Sequence, residues 1–264
     1  MLIAGRELEI YSNADALAIA AANLIQTAAT QAIAERGRFT IALTGGSTPE
    51  QTYLRLADPA VRESIDWSRW YIFIGDERFV PSSDPRSNLS MVTRTLLSRV
   101  QIPYGHVFPI DTHAPTPQDS AEDYSKRIKG FFGVAEKSPP PALDLILLGV
   151  GDDGHVASLF PGNPSLSATA AWFTSSPPGT LPPPVDRVTA TLPFINAARQ
   201  VLFLVSGTKK AAIVEEIFQN PQAAAQYPAA MIRPEKGALN WLLDKDAAAN
   251  IAPPPSPPAA APQP

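Results

Sequence analysis

Apolar positions along the chain follow two different periods. Residues 13–36 are rich in alanine, and Leu17, Ala21, Leu24 and Ala28 recur at helical spacing, with Ser12 placed to cap the helix and Gly37 to stop it. Short runs then appear that are apolar, β-branched or aromatic: FTIAL at 39–43, WYIFI at 70–74, LDLILL at 143–148, RVTATL at 187–192 and VLFLV at 201–205. These predict strands. Several are apolar on both faces, and helical stretches at 49–57, 88–99, 118–132 and 208–219 separate them. Such alternation predicts a mostly parallel sheet with helices on both faces, a doubly wound, Rossmann-like α/β fold. The expectation is one domain over residues 1–250.

Proline punctuates this pattern. SPPP at 138–141 and SSPPGTLPPP at 175–184 are expected to be extended surface loops within the domain. From Ala252 the chain is almost entirely Pro, Ala and Ser, which can neither bury a core nor hold a helix. Residues 251–264 are therefore expected to form a disordered, solvated tail. No internal repeat is visible.

Composition narrows the functional classes. With 45% hydrophobic and 17% charged residues, the chain has ample material for a core. A formal charge of −4 gives no broad basic face, so nucleic acid and anionic membrane are poor candidate partners. An anionic ligand would need a local pocket. The absence of cysteine excludes disulfides, thiolate nucleophiles and cysteine-based zinc sites, and fits a reducing compartment. No apolar run approaches the ~18 residues of a spanning helix, and MLIAGRELEI lacks the layout of a signal peptide. Cytoplasm is the expected location.

Four segments carry candidate chemistry. In LTGGSTPE, residues 43–50, a Gly-Gly-Ser turn leaves a strand and enters a helix, with Thr48 as the expected N-cap and Pro49 at the first helical position. Backbone N–H groups of Gly45, Gly46, Ser47 and Thr48 can cradle a phosphate there, although a plain capping turn has the same sequence pattern. In FIGDERFVP, residues 73–81, a strand ends in Asp76, Glu77 and Arg78, where ligands bind in open α/β sheets. A solvated turn with a local ion pair is the alternative.

The third segment, LDLILLGVGDDGHVASLFPG at 143–162, contains Gly149, Gly151 and Gly154 in GxGxxG spacing. A dinucleotide site is rejected, because Asp152 and Asp153 would face the pyrophosphate and no acidic residue follows at ~20 positions. The glycines are instead expected to shape a tight loop that presents His155, with Asp153 two residues away. Histidine accepts a proton near neutral pH, so His155 is the candidate general base; His106 and His113 have no comparable frame. In the fourth, VLFLVSGTKKAAIVEEIF at 201–218, Lys209 and Lys210 fall in a helix's first turn. The helix dipole disfavours them there, so an anionic ligand or ordinary solubility must account for the pair.

Taken in order, these segments resemble the 6-phosphogluconolactonases, within a group that includes glucosamine-6-phosphate deaminases and ribose-5-phosphate isomerases. LTGGSTP resembles the family's phosphate turn, GDERFVP with SNLSM at 87–91 its second block, GVGDDGHVASLFPG its catalytic loop and RVTATLPFINAARQVLFLVSGTKKA at 187–211 its third block. The resemblance runs from about residue 10 to 248. The deaminases typically follow the DGH core with Asn-Glu-Pro, where this chain has Ala157, Ser158, Leu159, Phe160 and Pro161. By resemblance, His155 and Asp153 match the base and its neighbour, and Asp76 and Arg78 the active-site pair. Asn88, Arg187 and Lys210 match ligand-binding positions, Lys210 better than Lys209.

The resemblance implies a sugar-phosphate isomerase type of fold and a hydrolase that opens a phosphorylated sugar lactone without metal or cofactor. His155 would activate water, and Arg78 or nearby N–H groups would hold the oxyanion. A monomer or weak homodimer acting on a small molecule is expected. The rival readings are a glucosamine-6-phosphate deaminase or isomerase and a non-catalytic phosphosugar-binding protein.

Overall fold

The computed structural model describes residues 2–3, 6–180 and 184–251. The strands are β1 (Leu2–Ile3), β2 (Arg6–Tyr11), β3 (Phe39–Leu43), β4 (Trp70–Ile74), β5 (Asp76–Arg78), β6 (Val107–Phe108), β7 (Leu145–Leu148), β8 (Phe173–Ser176), β9 (Arg187–Ala190), β10 (Gln200–Val205) and β11 (Ala238–Asp244). The helices are α1 (Ala14–Arg36), α2 (Ser47–Leu56), α3 (Pro59–Arg62), α4 (Asn88–Thr95), α5 (Pro117–Phe132), α6 (Leu192–Asn196), α7 (Ala211–Gln219), α8 (Ala223–Gln226) and α9 (Pro228–Met231).

Eight strands form the main sheet in the order β1-β2-β11-β10-β7-β3-β4-β6. Every pairing in it is parallel except β1 with β2. All residues of β3 and β7 are buried, and because successive side chains alternate faces, both faces of the sheet centre are covered. This is the mostly parallel α/β sheet that the strand runs predict. Phe203 stacks on Trp241 from the neighbouring strand, ring centroids 3.7 Å apart, and both are fully buried.

The chain order decides where a crevice opens. From β3 the chain moves outward through β4 to β6, then returns to β7 on the other side of β3 and moves outward through β10 and β11. The order therefore reverses between β3 and β7. Loops leaving the carboxyl ends of these two strands part in opposite directions, and a cleft is left between them.

Several boundaries differ from expectation. RVTATL is not a central strand: Arg187–Ala190 pairs antiparallel with β5 and β8 in a separate three-stranded sheet, and Thr191 precedes α6. Ser175 and Ser176 belong to β8, so the loop expected at 175–184 begins later, and residues 181–183 lie outside the described residues. The stretch 88–99 breaks at Leu96, whose φ of −126° and ψ of −64° leave helical geometry, and a 3-10 turn continues at Leu97–Arg99. Asn13 rather than Ser12 caps α1, its side chain accepting from the Ala16 N–H at 2.9 Å. Of the tail expected at 251–264, Ile251 packs against the core and residues 252–264 lie outside the described residues.

One expectation about membranes needs correction. By length and composition α1 is apolar enough to cross a bilayer. Its alanines raise the mean hydropathy without forming one unbroken apolar run. In the fold, Leu17, Ala18, Ala21, Ala22, Ile25, Ala29 and Ala32 are buried along one stripe, as in a helix that packs on a sheet.

Truncating the stacked pair tests the packing of the sheet: Phe203→Ala lowers the unfolding free energy by about 3–5 kcal/mol, read as a lower urea midpoint at unchanged m-value.

Candidate active site

The cleft at the reversal point has a volume of about 930 Å³ including the solvent at its mouth, roomy enough for a phosphorylated sugar. The carboxyl ends of β3, β4, β7 and β10 all contribute to it, through Gly45–Thr48, Asp76, Gly149–Asp152 with His155, and Ser206 with Lys210. Of the candidates picked from sequence, Gly45, Gly46, Ser47, Thr48, Asp76, Arg78, Asn88, His155, Arg187 and Lys210 line the cleft. Asp153 sits against His155.

The loop after β7 is a closed turn. Gly154 N–H donates to the Gly151 carbonyl and Gly151 N–H donates to the His155 carbonyl, each at 2.9 Å. Gly154 has φ +79°, and Ala229 N–H donates to its carbonyl at 3.0 Å, which ties the loop to α9. No helix follows, so the GxGxxG spacing serves a turn, in line with the rejection of a dinucleotide site. Within it, His155 Nδ1 lies 2.6 Å from Asp153 Oδ1, and the same oxygen accepts the His155 backbone N–H at 3.1 Å. A Cβ on Gly151 would stand 2.0 Å from His155 Nδ1 and 2.6 Å from Asp153 Oδ1. Only glycine leaves room for the pair. The Phe160 ring packs beside the imidazole at 4.6 Å.

Burial pushes the Asp153 carboxyl up, but its hydrogen bonds and charge interaction with His155 outweigh that and hold it below its ordinary value. Arg187 is buried and lies over the Phe160 ring at 5.3 Å. Burial draws its guanidinium below the usual value, against the pull of the Asp76 carboxylate, and Arg78 adds to the fall.

At the glycine turn after β3, helix α2 begins at Ser47, and Gly46 occupies the cap position with φ +114° and no side-chain cap. Thr48 is therefore not the N-cap. The positive φ at Gly46 starts the helix earlier, and the Thr48 hydroxyl instead lies 2.7 Å from that of Ser206 on the loop after β10. Close approach is built in: a Cβ on Gly45 would fall 2.0 Å from Asn88 Oδ1. Lys209 and Lys210 sit in a 3-10 turn, Thr208–Lys210, just before α7 rather than inside its first turn. Lys210 faces the cleft and pairs with Asp152 at 2.6 Å. His106 stacks on Tyr71 and His113 neighbours Asp111; neither lines the cleft.

The roles of two contributors escape a reading of the sequence. Glu77, between Asp76 and Arg78, is buried and accepts the N–H groups of Arg78, Asn88 and Leu89 and the Ser87 hydroxyl. Burial pushes its carboxyl up, and these four bonds oppose the push. It anchors the start of α4 and so fixes Asn88. Ser158 donates to Asp76 Oδ2 at 2.7 Å, and Asn88 Nδ2 donates to the Asp76 carbonyl at 2.8 Å. The Arg86 carbonyl accepts from Arg78 Nη1 at 2.6 Å. An acid and a serine inside otherwise familiar motifs are the available signals; Ser158 reaches its partner 82 residues away, whereas Glu77 is bound by groups no more than 12 residues along the chain.

A family model described as glucosamine-6-phosphate isomerases/6-phosphogluconolactonase matches residues 12–241. The chain belongs to that family. It is 41% identical over 247 residues to a 6-phosphogluconolactonase of Synechocystis sp., covering 94% of this chain and 99% of the relative. Among solved structures, a 6-phosphogluconolactonase from Trypanosoma brucei superposes with a TM-score of 0.81 at 31% identity, over 94% of this chain and 99% of the other. One from Trypanosoma cruzi gives 0.83 at 29% identity, over 96% and 98%. The fold of these structures thus extends over nearly the whole of this chain.

The depressed Asp153 carboxyl has a sign that can be checked. Its contribution to stability is complete above the ordinary carboxylate value of about 3.9 and is lost as pH falls through that value toward its lower folded one. Thermal midpoints of the wild type and Asp153→Asn therefore differ most at neutral pH and converge in acid.

Proposed function

We propose that this chain hydrolyses 6-phospho-D-glucono-1,5-lactone to 6-phosphogluconate, the lactone-opening step of the oxidative pentose phosphate pathway. The observation that carries this reading is the 2.6 Å contact between His155 and Asp153 on a loop that shares one cleft with an uncapped helix start. Asp153 accepting from Nδ1 fixes the imidazole tautomer, which leaves Nε2 as the acceptor for a proton of water. That water attacks C1 as the proton passes to Nε2. Negative charge gathers on the carbonyl oxygen, where the Arg78 guanidinium stabilises it. The tetrahedral species collapses, the C1–ring oxygen bond breaks, and His155 returns the proton to the departing oxygen. Asp76, held by Ser158 and Asn88, orients sugar hydroxyls.

Phosphate binding falls to the backbone N–H groups of Gly45, Gly46, Ser47 and Thr48 at the positive end of α2, with Lys210 and Arg187 supplying charge. Asn88 closes this side. The Ala157–Pro161 segment in place of Asn-Glu-Pro favours the lactonase over the deaminase. A monomer or weak homodimer, with residues 1–250 as a single catalytic domain, completes this reading. We place the enzyme in the cytoplasm, consistent with its lack of cysteine.

His155→Ala lowers kcat by about 10²- to 10⁴-fold while 6-phosphogluconate still binds, measured by a pH-stat assay with the uncatalysed rate subtracted and by calorimetry. Turnover near the wild-type value would remove His155 from the mechanism. Gly151→Ala displaces the imidazole through its Cβ and costs about 10²-fold in the same assay, with product binding retained.

A further inference from the structure

Asp152 has no part in the chemistry above, yet it lines the cleft. It rides on the same closed turn as His155, so its backbone is pinned. Lys210, opposite, follows Gly207, whose N–H is held by both Asp244 carboxylate oxygens at 3.0 and 3.1 Å. Lys210 Nζ donates to Asp152 Oδ1 at 2.6 Å. Two anchored loops, after β7 and after β10, thus meet through one ion pair at the cleft wall.

A carboxylate on the lysine of an anion site works against the ligand. An ammonium has three donors and can hold Asp152 and a phosphate oxygen together, but two anions then share one cation. The opposition grows along the reaction, because ring opening converts a neutral ester into a carboxylate and adds one negative charge to the bound molecule. Side-chain exposures of 26% for Lys210 and 47% for Asp152 allow solvent to screen the pair, which keeps the effect moderate.

We infer that Asp152 is a positioning residue that acts through Lys210: it holds the ammonium over the cleft and limits the affinity for phosphorylated ligands, the product above all. The inference rests on the phosphosugar reading of the cleft. Asp152 thereby favours product release over tight binding.

Calorimetric titration of 6-phosphogluconate into the wild type, Asp152→Asn and Asp152→Glu at two ionic strengths tests this. The Asn variant keeps an oxygen for Lys210 but loses the charge, so it is expected to bind about 2- to 5-fold tighter, with a steeper salt dependence. Its KM for the lactone falls and its kcat does not rise, whereas Asp152→Glu restores wild-type affinity. Asp152→Ser provides the same charge removal should the Asn variant not fold. Unchanged or weaker product binding in the charge-removed variants, or a gain that salt does not erode, overturns the inference while leaving the proposed function intact. Failure of the wild type to bind 6-phosphogluconate overturns both.

Discussion

The contact between His155 Nδ1 and Asp153 Oδ1 is the constraint around which the cleft is organised. An imidazole at the end of a flexible loop would sample many orientations; here the carboxylate bonds both the ring and the backbone of the same residue. The arrangement exists because Gly151 lacks a side chain in the space the ring occupies. Phe160 packs against the ring and under Arg187, so one aromatic side chain steadies both groups.

Topology then brings this loop its partners. Because the strand order reverses between β3 and β7, the glycine turn and the histidine loop border one crevice without any distortion of the sheet. The small antiparallel sheet of β5, β9 and β8 places Asp76, Arg78 and Arg187 along the same cleft. Pairing β5 with β9 sets Arg78 opposite Arg187, two like charges side by side, and Asp76 and Glu77 nearby offset them. Glu77 is structural in this scheme: a buried carboxylate that satisfies the first N–H groups of α4, where the helix dipole also favours it.

The chain carries a net negative charge, yet Arg78, Arg187 and Lys210 converge on the cleft. Positive charge is thus gathered locally rather than spread over the overall field. Asp152 and Asp76 temper that local charge from two sides, one through Lys210 and one beside Arg187.

By itself the sequence determined the parallel core strands and the segments that border the cleft, because apolar periodicity and strand-to-helix turns are local in origin. FTIAL, WYIFI, LDLILL and VLFLV are all central strands, and the DGH loop does present His155. Local signals failed where a distant partner decides. RVTATL has the composition of a core strand but pairs with β5, more than a hundred residues earlier. Thr48 is the expected cap but meets Ser206, while the contacts of Ser158 with Asp76 and of Asp152 with Lys210 have no signal in the sequence. Hydrogen bonds and ion pairs between loops depend on which carboxyl ends the sheet order makes neighbours, and only the tertiary structure settles that.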